Sequence, residues 1–190
     1  MVYNGFKWGE VEEKYLVNIF PTEPGRASRG PGRKLLLLIT SLDASHINVF
    51  IGEYRHSIDD KGRLAIPAKF RSSLKKAVVT RGLDACLFLY SLAEWKQLAE
   101  KLANLPISQS NSRAFARLML AGAMDVEVDS QGRVVIPEYL RTYAGLGKNV
   151  VVAGLYNRVE LWSEDAWKKY TAAAEKNSGE IAEQMLSLGV

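Results

Sequence analysis

The 190-residue chain has a single cysteine, Cys86, so no intramolecular disulfide can form and a secreted disulfide scaffold is excluded. A buried, inert thiol is the expectation for Cys86. Histidine is almost as scarce. His46 and His56 are the only two, and neither has the neighbours a metal set needs. There is no phosphate-binding glycine loop of the Walker or dinucleotide kind. Asp59-Asp60 imitates a carboxylate pair, yet adjacent turn residues usually point apart. No catalytic residue, metal or cofactor is expected, and the chain does not read as an enzyme. Long apolar runs are missing as well. The run Leu35 to Ile39 falls far short of the ~18 residues that cross a bilayer. The segment before it is too long for a signal peptide, and Asp43 follows closely. The chain therefore reads as cytoplasmic, with no membrane partner.

What is present is ordinary in bulk. Apolar residues make up 47%, and the length suffices to bury a core in one or two domains. The net charge of +4 is compatible with nucleic acid but does not select it.

An internal repeat carries more information. The stretch SIDDKGRLAIPAKFR from Ser57 recurs as EVDSQGRVVIPEYLR from Glu127. At an offset of 70, Asp59, Gly62 and Arg63 match Asp129, Gly132 and Arg133, while Ile66, Pro67 and Arg71 match Ile136, Pro137 and Arg141. Farther on the offset reads as 72, pairing Gly82 with Gly154, Leu89 with Leu161, Tyr90 with Trp162 and Trp95 with Trp167. Two residues are thus expected to be gained near Gly145-Leu146-Gly147. Two copies are too few for a solenoid, which leaves a pseudo-symmetric pair.

Each copy has legible local structure, and the whole reads as α+β. Glu53 to Ile58 and Met124 to Val128 are predicted strands. In the Asp-x-x-Gly-Arg that follows, Asp accepts backbone N–H groups across a tight turn. Gly supplies the positive φ of a three-residue hairpin with a bulge. Short strands through Leu64 and Ile66, or Val134 and Ile136, come next. Pro67 and Pro137 suit the first position of a short helix, with Phe70 or Leu140 turned inward. Two more strands end at Leu87 to Tyr90 and Val159 to Trp162. Ser91-Leu92-Ala93-Glu94 is a capping box ahead of Trp95, Leu98, Leu102 and Leu105 at helical spacing. A second helix is predicted from Asn111 to Leu120, with Phe115, Leu118 and Met119 on one face. Ser163 caps another through Trp167 and Tyr170, and a weaker one runs from Glu180 to Leu188. These stripes read as core or subunit contact rather than a cofactor box.

Residues 1–48 lack the repeat, and Pro24 to Arg33 is rich in Gly, Arg and Ser, the composition of loops and disordered tails. Such an extension is either a DNA-touching arm or sequence upstream of a start at Val49. The second is preferred, because the repeat-bearing region begins abruptly at Val49-Phe50-Ile51-Gly52. The organisation is then an extension (1–48), a first half (53–95), a helical connection (96–123), a second half (124–167) and a helical tail (168–190).

The run VFIGEYRHSIDDKGRLAIPAKFR, with the later DSQGRVVIP and ELWSEDAW, resembles the MraZ family of transcriptional regulators over roughly residues 49–188. The resemblance implies two AbrB-like, swapped-hairpin halves forming one pseudo-symmetric β-barrel with peripheral helices. It further implies ring-shaped homo-oligomers, association with the nucleoid, and binding to double-stranded DNA at repeats in the promoter of the division and cell-wall gene cluster, mainly as a repressor. The family's Asp-x-x-x-Arg motif is intact twice, as Asp59 with Arg63 and Asp129 with Arg133.

From residue chemistry alone, Arg63 and Arg133 have two readings of equal weight. An arginine just past a hairpin turn can reach a groove or clamp a phosphate, or it can pair with its own turn aspartate and stiffen the hairpin. The resemblance favours the DNA-contacting role, with Asp59, Gly62, Asp129 and Gly132 shaping the turns. Lys61, Arg55 and Lys69 are candidates for added phosphate contacts, though solvation explains each equally well. Arg71 and Arg141 are expected to pair locally. The alternatives are an AbrB-like antitoxin, which binds a toxin protein, and a barrel enzyme related by fold alone.

Overall fold

The computed structural model describes residues 49–186, so the 1–48 extension, read above as sequence upstream of a start at Val49, lies outside the described residues. The first repeat supplies β1 (Phe50–Ser57), β2 (Arg63–Ala65), a 3-10 turn (Ala68–Phe70), β3 (Lys76–Arg81) and β4 (Leu87–Ser91). Helix α1 (Leu92–Ala103) and helix α2 (Ser110–Ala116), which runs into a π-helical turn (Arg117–Ala121), lead to the second repeat. That repeat comprises β5 (Met124–Glu127), β6 (Arg133–Val135), α3 (Glu138–Tyr143), β7 (Asn149–Tyr156) and β8 (Arg158–Ser163). Helices α4 (Glu164–Lys176) and α5 (Ser178–Leu186) follow. The architecture is α+β, as expected.

Six strands form one antiparallel sheet in the order β1-β7-β8-β4-β3-β5, and β2 pairs with β6 in a separate two-stranded ribbon. The first strand of each repeat pairs with the third strand of the other: β1 with β7, and β5 with β3. The closed barrel implied by the resemblance does not form, because β1 and β5 are edges of an open sheet. The second strand of each repeat leaves the sheet and enters the ribbon. A bridge between Ile58 and Leu64, with the Asp59 N–H donating to the Arg63 carbonyl at 3.1 Å, ties β2 back to its own repeat.

The strand registers correct the alignment of the repeats. Ser57 lies opposite Asn149, and its counterpart Glu127 lies opposite Lys76, so Asn149 is the counterpart of Lys76. Three extra residues, Gly145-Leu146-Gly147, therefore precede β7, where two were expected. The β7–β8 turn is correspondingly one residue shorter than the β3–β4 turn, and the ladder sets Gly154 against Arg81 instead of Gly82.

Alternation along β4 separates two cores, since successive strand residues face opposite ways. Leu87 and Leu89 join Phe50, Leu64, Phe70, Val134, Leu140 and Leu161 beneath the ribbon. Phe88 and Tyr90 join Cys86, Leu102, Met119, Val151 and Trp162 on the helix-covered side. Ser91 and Ser163 cap α1 and α4, accepting from the N–H groups of Glu94 and Ala166 at 3.3 Å. Pro67 and Pro137 sit one residue earlier than expected, as N-caps instead of first helical residues. The predicted single helix over 111–120 changes pitch at Arg117. The wider π turn breaks the common face, so Met119 reaches the sheet while Phe115 stays exposed. The buried Thr80 hydroxyl anchors this turn, donating to the Met119 carbonyl at 2.6 Å. No helix among the described residues is long and apolar enough to cross a membrane.

Candidate nucleic-acid interface

The two Asp-x-x-Gly-Arg turns fold alike. In the first, Asp59 Oδ1 accepts from the backbone N–H groups of Lys61 and Arg63, each at 3.0 Å. In the second, Asp129 Oδ1 accepts from Gln131 and Arg133 N–H groups, each at 2.9 Å. The Gly62 and Gly132 N–H groups close the turns onto the Asp59 and Asp129 carbonyls at 2.8 and 2.9 Å. Their φ angles of +75° and +79° are the left-handed values that glycine adopts without steric cost. The remaining carboxylate oxygen holds the arginine. Arg63 Nε donates to Asp59 Oδ2 at 2.7 Å, while Arg133 donates through Nε at 3.0 Å and Nη2 at 2.8 Å to Asp129 Oδ2. Backbone donation from Arg63 and Arg133 is the main reason both carboxyls sit below their ordinary pKa. The pairing and the turn-shaping read from residue chemistry are thus both present.

Strand alternation sorts the ribbon into two faces. Leu64 and Val134, which pair with each other, are fully buried against the core. Arg63, Ala65, Arg133 and Val135 therefore lie on the outer face, where Val135 is 55% exposed. Arg63 pairs with Val135 and Arg133 with Ala65, so the two arginines sit diagonally across one narrow ribbon. The hairpin tips differ in chemistry: Asp60-Lys61 on one, Ser130-Gln131 on the other, with Lys61 and Gln131 exposed.

Arg71 and Arg141 do more than local pairing. Each Nε donates to a carbonyl five residues earlier, Arg71 to Ile66 at 2.8 Å and Arg141 to Ile136 at 3.1 Å. The same guanidinium also lies against the turn glycine of the opposite repeat. A Cβ on Gly62 would stand 3.2 Å from Arg141 Nε, and one on Gly132 would collide with Arg71. The ribbon is cross-strapped further by Ile66 N–H to the Gly132 carbonyl and Ile136 N–H to the Gly62 carbonyl, both 2.8 Å. The recurrence of arginine at equivalent repeat positions was the available signal for this role.

Other candidates are engaged elsewhere. Arg55 pairs with Glu53 at 2.9 Å and lies 4.0 Å from Glu164. The Lys69 ammonium donates to the Ile51 carbonyl and sits over the Tyr54 and Phe70 rings. Burial, with the charge of Arg71, holds His56 below its ordinary pKa. Cys86 is buried and its thiol is pushed up to about 12. Among the described residues, no group of three or more His, Cys, Asp or Glu could hold a metal.

The family whose model is described as "MraZ protein, putative antitoxin-like" matches the chain twice, over residues 49–118 and 119–188. The chain belongs to the MraZ family. Among its relatives, the transcriptional regulator MraZ of Halothermothrix orenii is 52% identical over 143 residues, covering 75% of this chain and all of the relative. That of Natranaerobius thermophilus is 48% identical over the same span, and that of Ligilactobacillus salivarius 51% identical over 139 residues, with 97% of the relative covered. The family relatives named here are regulators, not enzymes. The two family matches divide the chain close to the boundary between the repeats.

Proposed function

We propose that the chain is a DNA-binding transcriptional regulator that lays the β2–β6 ribbon on double-stranded DNA. The observation that carries this is the placement of Arg63 and Arg133 on one exposed ribbon face, each held by its turn aspartate. A major groove, about 12 Å wide, admits a two-stranded ribbon. The aspartates turn their charge into the hairpins, where backbone N–H groups and guanidinium neutralise it, so they orient the arginines without repelling phosphate. Lys61 adds a phosphate contact at one tip, and Arg55 flanks it by exchanging Glu53 for phosphate. Gln131 and Ser130 place neutral hydrogen-bonding groups at the other tip, suited to base edges.

In this reading, residues 53–95 and 124–167 are AbrB-like, swapped-hairpin halves of one pseudo-symmetric unit, joined by 96–123 and followed by the tail 168–190. The exchange of strand partners between repeats supports it. The regulator acts in the cytoplasm at the nucleoid, assembles into rings of identical chains, and represses the division and cell-wall gene cluster from promoter repeats. Gel-shift and footprinting of the full chain on the promoter upstream of that cluster test this. Protection of spaced repeats is expected. Co-purification of a toxin without promoter binding would favour the antitoxin reading that the family description carries, and substrate turnover would favour a barrel enzyme.

A further inference from the structure

The two turns of the ribbon carry no net charge. The first sets Asp59 and Asp60 against Lys61 and Arg63, and the second sets Asp129 against Arg133. Duplex DNA attracts proteins chiefly through its phosphates, by release of condensed counterions when cations neutralise them. A neutral ribbon supplies little of that attraction, so cations beside it must. Several are engaged already: Arg55 with Glu53, Lys76 with Glu127, and Lys69 with the Ile51 carbonyl. The strand register brings out a pair that is not. Because Asn149 is the counterpart of Lys76, Lys148 is the counterpart of Lys75, although an offset of 72 sets Gly147 there. Both lysines play one part in the backbone. The Lys148 carbonyl accepts from the Ile58 N–H at 2.9 Å, and the Lys75 carbonyl from the Val128 N–H at 3.1 Å. Each is thereby fixed next to the residue that precedes the turn aspartate of the other repeat. Since β2 and β6 are antiparallel, the two turns lie at opposite ends of the ribbon, with one lysine at each end. Both lysines are exposed, and among the described residues neither ammonium is paired with a carboxylate. At the first turn a cleft of about 570 Å³ lies between Asp59-Asp60 and Leu146 to Lys148, with Arg141 also lining it. Arg63 neutralises Asp59, so Lys148 and Arg141 outweigh Asp60 in that cleft.

We propose that Lys75 and Lys148 are a matched pair of phosphate clamps, one at each end of the ribbon, gripping the DNA backbone that borders the groove. A lysine ammonium is a compact charge on a flexible stem, without the planar fork that reads base edges. The pair therefore adds affinity for any duplex and leaves sequence preference to the ribbon. Their side chains are borne by the strands that brace the opposite repeat's turn, so clamp and ribbon keep a fixed spacing. This rests on the proposed DNA reading of the ribbon and names the residues that supply its attraction to phosphate.

The test measures binding of the full chain to a promoter duplex, and to a shuffled duplex of equal length and composition, over a range of salt. In Lys75→Gln/Lys148→Gln the slope of log affinity against log salt should fall by about 1.8 for each chain engaged, at about 0.9 per phosphate contact. Across a fourfold rise in salt, native binding should then weaken about 12-fold more than the variant's. Both duplexes should lose affinity by the same factor, so that the preference for promoter DNA persists. The native melting profile should persist too, because the bracing hydrogen bonds use backbone carbonyls. Lys75→Arg/Lys148→Arg should keep the native slope. Lys96→Gln/Lys101→Gln removes the same charge from α1, across the sheet from the ribbon, and should leave the slope nearly unchanged. The proposal is overturned by an unchanged slope in Lys75→Gln/Lys148→Gln, by a loss confined to the promoter duplex, or by an equal fall in the α1 variant. If the native chain prefers promoter DNA while any of these holds, the clamp fails and the ribbon reading stands. A native chain that binds neither duplex refutes both.

Discussion

Replacing Arg63 and Arg133 with alanine asks whether the ribbon's outer face is the DNA surface. The turns should survive the change. The largest influence holding the Asp59 and Asp129 carboxyls ionised is a backbone N–H of residue 63 or 133, which alanine retains. Both side chains also leave the core on the far side of the ribbon from Leu64 and Val134, so the melting temperature should barely move. DNA binding should move a great deal. An arginine that reads a base edge accounts for roughly 1–3 kcal/mol, or about 5- to 150-fold in affinity, with preference blurred at one position. One that clamps phosphate weakens all sequences alike and lowers the salt slope by about one. Lysine discriminates further, because it keeps the charge but not the planar fork. Arg133 binds its aspartate through two nitrogens and Arg63 through one, so Arg133→Lys should perturb its turn more than Arg63→Lys. Fluorescence anisotropy on promoter DNA at several salt concentrations, beside a circular-dichroism melt, reads all of this. If the double alanine variant binds with unchanged affinity and salt slope, the ribbon is not the DNA surface, and Lys75-Lys76 and Arg113 with Arg117 become the next candidates.

Acid should destabilise the protein through the same turns. Because the Asp59 and Asp129 carboxyls are lowered from about 3.8, their contribution is present above that pH and is lost as pH falls through the lower folded-state values. The Asp59→Asn/Asp129→Asn variant should be less stable at neutral pH and show a flatter acid limb in melts; an unchanged limb would contradict this. Gly132→Ala should cost about 1–3 kcal/mol for the left-handed backbone, and more than Gly62→Ala because its Cβ meets Arg71, as urea denaturation would show. Leu64→Ala, at the centre of the ribbon and fully buried, should cost about 2–5 kcal/mol; a loss below about 1 kcal/mol would mean the ribbon is not packed as described. Native Cys86, its thiol pushed up to about 12, should resist iodoacetamide at pH 8 and react once the chain is unfolded, and prompt native labelling would refute its burial.

The hairpins were legible in the sequence because their causes are local. Asp, Gly and Arg at fixed spacing determine which atoms close the turn, and a second copy of the pattern removed the ambiguity of one. The caps at Ser91 and Ser163 were legible for the same reason. Strand partners were not, because pairing β1 with β7 depends on residues about a hundred positions apart, and alternation says which face a residue takes without saying which strand lies beside it. The repeat alignment failed where two length changes offset one another: a gain of three residues before β7 and a loss of one in the next turn look like a gain of two. The glycines at 82 and 154 then align in sequence although the ladder does not equate them. The seat of Met119 was hidden too, since a π turn shifts helical phase by an amount that no spacing rule for a regular helix supplies.

The cross-strapping of the ribbon bears on how it can act. Arg71 lies on the turn of the second repeat and Arg141 on the turn of the first, while Gly62 and Gly132 accept from Ile136 and Ile66. Neither hairpin is therefore held by its own repeat alone, and loosening one loosens the other. A surface that is already ordered loses little conformational freedom on binding, so more of its contact energy appears as affinity. The aspartates extend that order to the arginine side chains, which would otherwise give up long-chain rotamer freedom at the DNA. The same coupling makes each repeat an inadequate unit by itself: Arg63 is positioned by Asp59, but the ribbon on which it stands is completed by Val135, Val134 and Arg133. A change confined to one turn, such as Asp129→Ala, should then weaken the contacts made by both arginines, whereas two independent hairpins would lose only their own.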